Sequence, residues 1–197
     1  MSEEQRSSAA GTGPGVEVGG STVHGRGVFA TRRFPPGEVV LEIDDRRLVT
    51  EDQPLDPAAG EHEHHCDWLG DRVVLMQEPE RYINHRCEPN AYVDTTPDGT
   101  RRVVAYRQIW PGEEITCDYC IDGDGDTVWR CSCGHPDCRQ DHTADFFNLP
   151  DHKLAEYIPL LSPWFVQRHR QRLEEVRRDL RDRGMEVQDP SRPPDTA

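Results

Sequence analysis

Short runs of β-forming residues, separated by turn signals, occupy the chain from Val16 to about Ile121. Runs rich in Val, Ile, Tyr and Thr that are bounded by Gly and Pro predict strands. Pro97-Asp98-Gly99 is typical of a hairpin turn, and no helix longer than two turns is predicted before Pro150. The pattern therefore predicts a mainly β fold with small helices. The predicted strands are residues 39–43, 72–75, 91–93 and 102–106.

The segment after Pro150 has a different pattern. Ser162 followed by Pro163 predicts a helix N-terminus, and Gly184 predicts its end. Between them, the apolar residues 166, 173, 176 and 180 fall on one helical face, and the opposite face is charged. We expect one C-terminal α-helix that packs its apolar stripe on the domain; a short coiled-coil contact with a partner is the alternative. Residues 1–15 and 185–197 are predicted to be disordered tails.

The chain is strongly acidic. Its 197 residues carry a formal net charge of −14, from 23 Lys and Arg against 37 Asp and Glu. Unless this charge serves solubility alone, it disfavours direct nucleic-acid binding and favours basic ligands such as Lys- and Arg-rich peptides. No apolar run approaches the ~20 residues that span a bilayer, and a signal-peptide pattern is missing. We expect no membrane association, and a cytoplasmic location in a bacterial cell or a nuclear one in a eukaryotic cell.

The seven cysteines are clustered rather than spread as a disulfide framework, which favours metal ligands or buried thiols. Cys131, Cys133 and Cys138 lie within one tight turn, as the thiolate ligands of a tetrahedral zinc do. A closed site needs a fourth ligand, and spacing alone does not identify this ligand. A small zinc ribbon made with Cys117 and Cys120 is also compatible with the spacing. The candidates are Cys87, Cys117, Cys120, Cys66, His135 and His142.

Three further segments carry chemistry-bearing residues outside helices. Residues 24–30 contain Gly25-Arg26-Gly27, where two glycines let a backbone approach a ligand closely, although a tight turn entering a strand is the simpler explanation. Residues 84–90, Asn-His-Arg-Cys-Glu-Pro-Asn, suit a rigid loop that presents hydrogen-bonding groups, or an ordinary capped turn. Residues 112–119 run from a turn through a strand to Tyr119, and the commonest role of a lone tyrosine is a buried aromatic.

These segments, in this order, resemble the SET domain of protein lysine methyltransferases followed by a post-SET zinc motif. The second segment and the cysteine turn are close to verbatim matches, and the resemblance covers roughly residues 16–141. It implies a SET-type β fold with a knot-like threading, in which the Asn-His-x-Cys loop lies beside the strand that precedes Tyr119. The implied organisation is a SET domain over 16–121, a post-SET segment over 122–149 and a helical segment over 150–184.

The resemblance also implies an activity. Proteins of this family transfer methyl groups from S-adenosylmethionine to the side-chain amine of lysine in a protein, so we expect a basic protein or peptide substrate. Tyr119 is the implied catalytic residue, and Cys87 is implied to join the three clustered cysteines on one structural zinc per chain. The implied cofactor-binding residues are Gly25, Arg26, Gly27, Asn84 and His85, and the implied metal ligands are Cys87, Cys131, Cys133 and Cys138.

Two positions depart from the family pattern. Cys117 stands where many relatives have Phe or Tyr, and Arg26 stands where Trp is frequent. A smaller side chain at Cys117 leaves room near the accepting nitrogen, so we expect di- or trimethylation unless Tyr106 or Tyr92 fills the gap. Tyr106 and Cys117 are the candidate substrate-pocket residues, with Trp129 as a further candidate. The alternative function is a catalytically weak, zinc-stabilised adaptor that binds basic peptides.

Overall fold

The computed structural model describes residues 15–187, so residues 1–14 and 188–197 of the two predicted tails lie outside it. The described chain is built from twelve short strands, five 3-10 turns and three helices near its end. The strands are β1 Val16–Gly20, β2 Arg26–Ala30, β3 Val39–Glu42, β4 Leu48–Val49, β5 Cys66–Leu69, β6 Arg72–Leu75, β7 Asn84–His85, β8 Ala91–Thr95, β9 Arg101–Ala105, β10 Glu114–Cys117, β11 Asp124–Arg130 and β12 Asp141–Asp145. The helices are α1 Asp151–Tyr157, α2 Pro163–Arg168 and α3 Arg170–Asp182.

The strands form four small sheets. Their orders are β1-β2-β10-β7, β3-β9-β8, β4-β6-β5 and β11-β12. Among the described strands, β7 with β10 is the one parallel pair, and the other pairs are antiparallel. A parallel pair brings together segments that are distant in sequence. Here it places Asn84-His85 beside the strand that leads to Tyr119, as the resemblance implies.

The prediction of a mainly β fold is confirmed. All four predicted strands are present within one or two residues, the hairpin turn at residues 96–100 joins β8 to β9, and the only helical segments described before Pro150 are 3-10 turns. The sheets enclose a main core of apolar side chains, which come from the strands and from the segments that connect them. Its fully buried members include Val28, Phe34, Val103, Ile109 and Ile115.

A second, C-terminal core lies under the helices. Phe146, Tyr157, Phe165, Leu173 and Leu180 are buried together there. The predicted apolar stripe therefore packs on the domain, as expected, and Gly184 ends α3 with a φ of +75°. Residues 185–187 lie in the predicted tail, yet the side chains of residues 185 and 187 pack against this core.

The predicted C-terminal helix is confirmed, and the structure adds two details to it. An additional helix, α1, precedes it, and the predicted helix is broken at His169, which has a φ of −109° and a ψ of 20°. The break lets the His169 ring lie 4.4 Å from the Phe165 ring, while Nε2 approaches the Asp124 carboxylate at 3.0 Å. Ser162 begins α2 as predicted, but its hydroxyl makes no capping hydrogen bond.

Lys153, the one lysine of the sequence, is buried in α1 with 4% of its surface exposed. Its ammonium group lies 2.8 Å from Glu88 and 2.9 Å from Glu156. The ring of Tyr157 adds a cation–π contact at 5.1 Å. Two carboxylates and a ring thus compensate the lost hydration of this charge.

Among the described residues, no helix is both long and apolar enough to cross a membrane.

Candidate active site and metal centre

Tyr119 lies two residues beyond β10, where the parallel pairing brings it against β7. Cys117 pairs with His85 in the register of the two strands. The Tyr119 backbone N–H donates to His85 Nδ1 at 3.1 Å, and the two rings lie 5.3 Å apart. The fold thus gathers four of the predicted site residues, Asn84, His85, Cys117 and Tyr119.

The Tyr119 ring is half exposed, but its hydroxyl points inward. It donates to the Ile83 carbonyl oxygen at 2.7 Å. Burial of the hydroxyl raises the pKa of Tyr119 further above its usual range, with negative neighbours adding to the effect. The phenol is therefore protonated at neutral pH, so it can donate and orient but cannot act as a strong base.

The Asn84 side chain holds the loop that precedes β2. Its amide donates to the carbonyl oxygens of Arg26 at 2.8 Å and His24 at 3.2 Å, and to Glu114 Oε1 at 2.7 Å. The glycine turn, residues 21–27, is thereby tied to β7 and β10 through one buried amide. Asn84 acts on the shape of this turn through hydrogen bonds to its backbone.

Gly27 is required for a reason that sequence reasoning missed. A Cβ at this position would lie 2.4 Å from Glu114 Oε1, so the Glu114 carboxylate occupies the space a side chain needs. That carboxylate also accepts from the Ser21 hydroxyl at 2.7 Å. Gly25 differs, because its φ is +51° and a Cβ there would meet no atom within 4 Å. Open space thus lies against the turn at Gly25, where a ligand can approach the backbone.

Arg26 presents a guanidinium group beside this turn. It lies 4.1 Å above the Tyr82 ring, donates to the Tyr82 hydroxyl at 2.8 Å and remains exposed. Its charge is paired with Glu78 at 3.7 Å, while the open backbone at Gly25 leaves room for a ligand next to this cation. Tyr82 was not predicted from the sequence, although it lies only two residues before Asn84.

The His85 imidazole is neutral. Burial lowers the pKa of His85 to about 3, and the nearby His142 and Arg139 add to this effect. Since Nδ1 accepts the Tyr119 N–H, the ring proton lies on Nε2. That N–H faces Cys87 Sγ at 3.6 Å.

Four cysteine sulfurs converge behind this site. The Sγ atoms of Cys87, Cys131, Cys133 and Cys138 all lie within 4.8 Å of one another, and this group is called the cysteine centre below. Cys87 lies 3.8 Å from Cys131 and 3.9 Å from Cys138, measured between sulfurs. A tetrahedral zinc with bonds of about 2.3 Å separates its thiolates by about 3.8 Å. The donor set therefore fits a structural zinc.

A second set of potential ligands overlaps the first, and it consists of His85, Cys87, Cys131 and His142. His85 cannot serve as a ligand in the observed arrangement, because its Nε2 carries the proton. A protonated nitrogen has no lone pair for a metal. The hydrogen bond from Tyr119 therefore favours the cysteine centre over the mixed set.

Of the other candidates for the fourth ligand, His142 belongs to this second set, and the remaining cysteines lie elsewhere. Cys120 contacts the Thr143 carbonyl at 3.5 Å, Cys117 is buried in the main core, and Cys66 lies on β5 against the His62 carbonyl. Neither the zinc ribbon with Cys117 and Cys120 nor a site at His135 is among the ligand groups of the described chain.

The pocket candidates divide between two places. Tyr106 donates to Glu156 at 2.9 Å and meets the Tyr92 ring edge-on at 6.0 Å. Within residues 15–187, no hydrogen bond or ring contact joins Tyr106 to Tyr119. Trp129 does approach, with its ring 6.4 Å from the Tyr119 ring and 5.6 Å from the His85 ring. Trp129 is therefore the candidate that borders the tyrosine.

The family model described as the SET domain matches residues 25–120. The match begins in the glycine turn, includes Asn84-His85 and ends just past Tyr119. These residues form a SET domain.

Relatives of this SET domain include proteins named as histone-lysine methyltransferases. The Candida albicans histone-lysine N-methyltransferase, H3 lysine-36 specific, is 48% identical over 108 residues, which are 52% of this chain and 12% of that protein. The Homo sapiens histone-lysine N-methyltransferase 2B is 30% identical over 143 residues, 64% of this chain and 5% of that protein. A crystal structure of a candidate Plasmodium falciparum histone methyltransferase aligns with a TM-score of 0.43 and 20% identity, covering 53% of this chain and 92% of that one. The chain thus spans 12% or less of the length of these two curated relatives.

Proposed function

We propose that this chain transfers methyl groups from S-adenosylmethionine to the side-chain amine of a lysine in a protein substrate. The observation that carries the proposal is the contact of Tyr119 with His85, beside a glycine turn fixed by Asn84. The match of residues 25–120 to the SET domain supports the same activity.

The cofactor, when bound, supplies an electrophilic methyl group, so the chain mainly has to hold and orient the accepting amine. Asn84 sets the shape of the turn, and Arg26 offers a cation to a cofactor carboxylate. The Tyr119 hydroxyl donates to the Ile83 carbonyl oxygen at 2.7 Å, so both oxygens keep lone pairs that can accept from the N–H groups of an amine. Together they can align an amine that enters between the rings of Tyr119 and Trp129.

The amine must be neutral to attack, and a free lysine has a pKa of about 10.4. Transfer from water into a buried channel lowers this pKa, because burial disfavours the charged form, and the positive charge of a bound cofactor would lower it further. Since Tyr119 stays protonated, it does not remove the amine proton, which leaves through water instead. The role of Tyr119 is therefore positioning of the amine in the transition state.

One zinc per chain in the cysteine centre is part of this proposal. It would hold Cys87, two residues after His85, to the turn at residues 131–138. We further propose domain boundaries at 16–121, 122–149 and 150–184, because the main core draws on residues up to Cys117 and the C-terminal core begins at Cys120. Buried Cys117 keeps its proposed place in the substrate pocket, where its small side chain favours more than one methyl group.

The proposed substrate is a basic segment of a histone. The net charge of −14 favours such a ligand, and the relatives are named for action on histones. Direct nucleic-acid binding is not part of the proposal, for the same reason of charge.

Incubation of the chain with labelled S-adenosylmethionine and purified histones, with Tyr119→Phe as the matched variant, tests the proposal. We expect labelled methyl-lysine in a histone with the wild-type chain and about a hundredfold less with the variant. An acidic protein of similar size serves as the substrate control. Absence of any labelled lysine with zinc-loaded chain would refute the activity.

A further inference from the structure

His142 lies between the cysteine centre and the aromatic wall of the site. It is buried, with 4% of its surface exposed, on β12. Its Nε2 is 3.2 Å from Cys87 Sγ, which is the shortest contact of that sulfur with a side chain of the described residues. Its Nδ1 lies 3.6 Å from Cys120 Sγ.

The same ring stacks on Trp129. The two residues are directly opposite each other in the β11–β12 pair, with ring centroids 4.9 Å apart and planes at 12°. The edge of His142 also meets the His85 ring at 4.6 Å. Trp129 in turn lies 6.4 Å from Tyr119. A continuous series of contacts therefore runs from a sulfur of the cysteine centre to the tyrosine.

The direction of the hydrogen bonds follows from their partners. A thiolate that binds a metal is an acceptor, so the nitrogen at 3.2 Å from Cys87 donates to it. The other ring nitrogen then faces the Cys120 thiol, whose single proton lies between this nitrogen at 3.6 Å and the Thr143 carbonyl oxygen at 3.5 Å. The contact with Cys87 therefore fixes the orientation of the His142 ring.

We propose that His142 is a positioning residue that couples the cysteine centre to the wall of the active site: it donates to the Cys87 thiolate through Nε2 and holds the Trp129 ring by stacking. An effect of this coupling on catalysis rests on the proposed function. The coupling itself is independent of that function, since it concerns metal retention and the position of one indole ring.

Two substitutions separate the two contacts of His142. His142→Phe keeps a flat ring for Trp129 and removes the N–H donor to Cys87. His142→Gln keeps an N–H donor and removes the ring. His135→Phe is the matched control, because His135 lies in the cysteine turn at residues 131–138 and its Nδ1 accepts from the Asp137 backbone instead of contacting a cysteine.

Zinc retention is measured with the full, zinc-loaded chain as the rate of zinc transfer to a chromogenic chelator. Loss of an outer-shell hydrogen bond weakens metal binding by about 10- to 100-fold. We expect His142→Phe to release zinc about 10-fold faster or more, and His142→Gln to restore most of the wild-type rate. His135→Phe is expected to release zinc at the wild-type rate. Equal acceleration in both His142 variants, or none in His142→Phe, would overturn the proposal.

Trp129 fluorescence gives an independent measurement. The emission change on chelation of zinc is recorded for the wild type and for Trp129→Phe, and the difference isolates Trp129 from the other three tryptophans. We expect a change in the wild type that is absent from Trp129→Phe, because metal loss frees Cys87 and the His142 ring with it. The same change in both chains would also overturn the proposal.

These readouts are independent of methyl transfer. A chain that lacks activity but gives the expected zinc and fluorescence results would contradict the proposed function and support the coupling. In the reverse result, the chain is active and its His142 variants retain zinc as well as the wild type does. This result would contradict the coupling alone.

Discussion

The sheet region and the β11–β12 hairpin (residues 124–145) are held together by different means. In the sheets, Val28, Phe34, Ile109 and Ile115 are fully buried, so apolar packing supports every strand around them. In β11, six of seven residues are exposed and Val128 is 70% exposed. The hairpin is held instead by the four converging cysteine sulfurs, by the stack of Trp129 and by the ion pairs of Asp124 with Arg168 and His169. We expect a metal bound at the cysteine centre to take the place of an apolar core in this segment.

Metal removal tests this difference most strongly. Cys138→Ser should release zinc and open the hairpin, since structural zinc contributes on the order of 10 kcal/mol to folding in small domains. Hydrogen exchange should show lost protection across residues 124–145 and retained protection at Val28, Val103 and Ile115. Cys66→Ser, outside the ligand set, is the control. Equal loss of protection in both regions would show that the sheets also depend on the metal.

Substitution of Tyr119 tests a residue that lies where the sheet region meets the hairpin. Tyr119→Phe removes the hydroxyl that donates to Ile83 and should lower kcat by about a hundredfold with little change in cofactor affinity. The thermal stability of both regions should stay nearly constant. Tyr157→Phe is the matched control, because its buried hydroxyl has no hydrogen-bond partner in the described chain. Unchanged turnover in Tyr119→Phe would remove this tyrosine from the mechanism.

Gly27→Ala should damage the sheet region while leaving zinc in place. The added Cβ collides with Glu114, so the carboxylate must leave Ser21 and Asn84, at a cost of about 2 kcal/mol. Calorimetry should show that the variant binds the cofactor more weakly. Titration with a chelator should show that its zinc content is unchanged. Gly37→Ala, which strains a positive φ without a collision and lies outside the glycine turn, should leave the Glu114 hydrogen bonds intact. Similar cofactor affinities for the two variants would contradict this account.

The smallest expected effect concerns Asp122, at the start of the hairpin region. Burial raises the pKa of Asp122 to about 6, against the opposing effect of the Ser162 backbone N–H at 2.9 Å. The folded state then keeps a proton that the unfolded state releases above pH 4, so this group's contribution to stability falls as the pH rises from about 4 to 6. Asp122→Asn should remove this loss and gain about 1–2 kcal/mol relative to wild type between pH 4 and 7.

Denaturant unfolding at several pH values measures the Asp122 effect as the difference in unfolding free energy between variant and wild type. Contributions from histidine titration are the same in both chains and cancel in this difference. Asp126→Asn, exposed in β11 four residues after Asp122, is the control. A difference that stays constant with pH would mean that the Asp122 carboxyl is ionised throughout.

The sequence predicted the sheet region well, because alternation of apolar residues and turn signals determine strands locally. The residues around Asn84, Cys131 and Tyr119 could be assigned through a resemblance and not through spacing, which left the fourth cysteine open. The hairpin was not predicted as strands, since Asp-Gly-Asp-Gly-Asp has no apolar period. The role of His142 could not be foreseen either, because it depends on the register that places it opposite Trp129.

Glu114, inside the sheet region, also makes contacts that could not be predicted from the sequence. Its carboxylate links Ser21, Asn84 and the turn at Gly27, which lie 93, 30 and 87 positions away along the chain. No local pattern signals such a contact, and the sequence indicated only that Gly27 lets the backbone approach a ligand closely. Long-range polar contacts of this kind need the fold before they can be named.

Buried Lys153 has a practical consequence for experiments on this protein. Within these 197 residues, the one side-chain amine is enclosed by Glu88, Glu156 and the Tyr157 ring. Lysine-directed labels and crosslinkers should find almost nothing to attach to on the folded chain. Methyl incorporation into the protein itself should be equally low, so labelled products in an assay report on the added substrate with little background. Modification of Lys153 would then serve as a sensitive sign that α1 has come away from the domain.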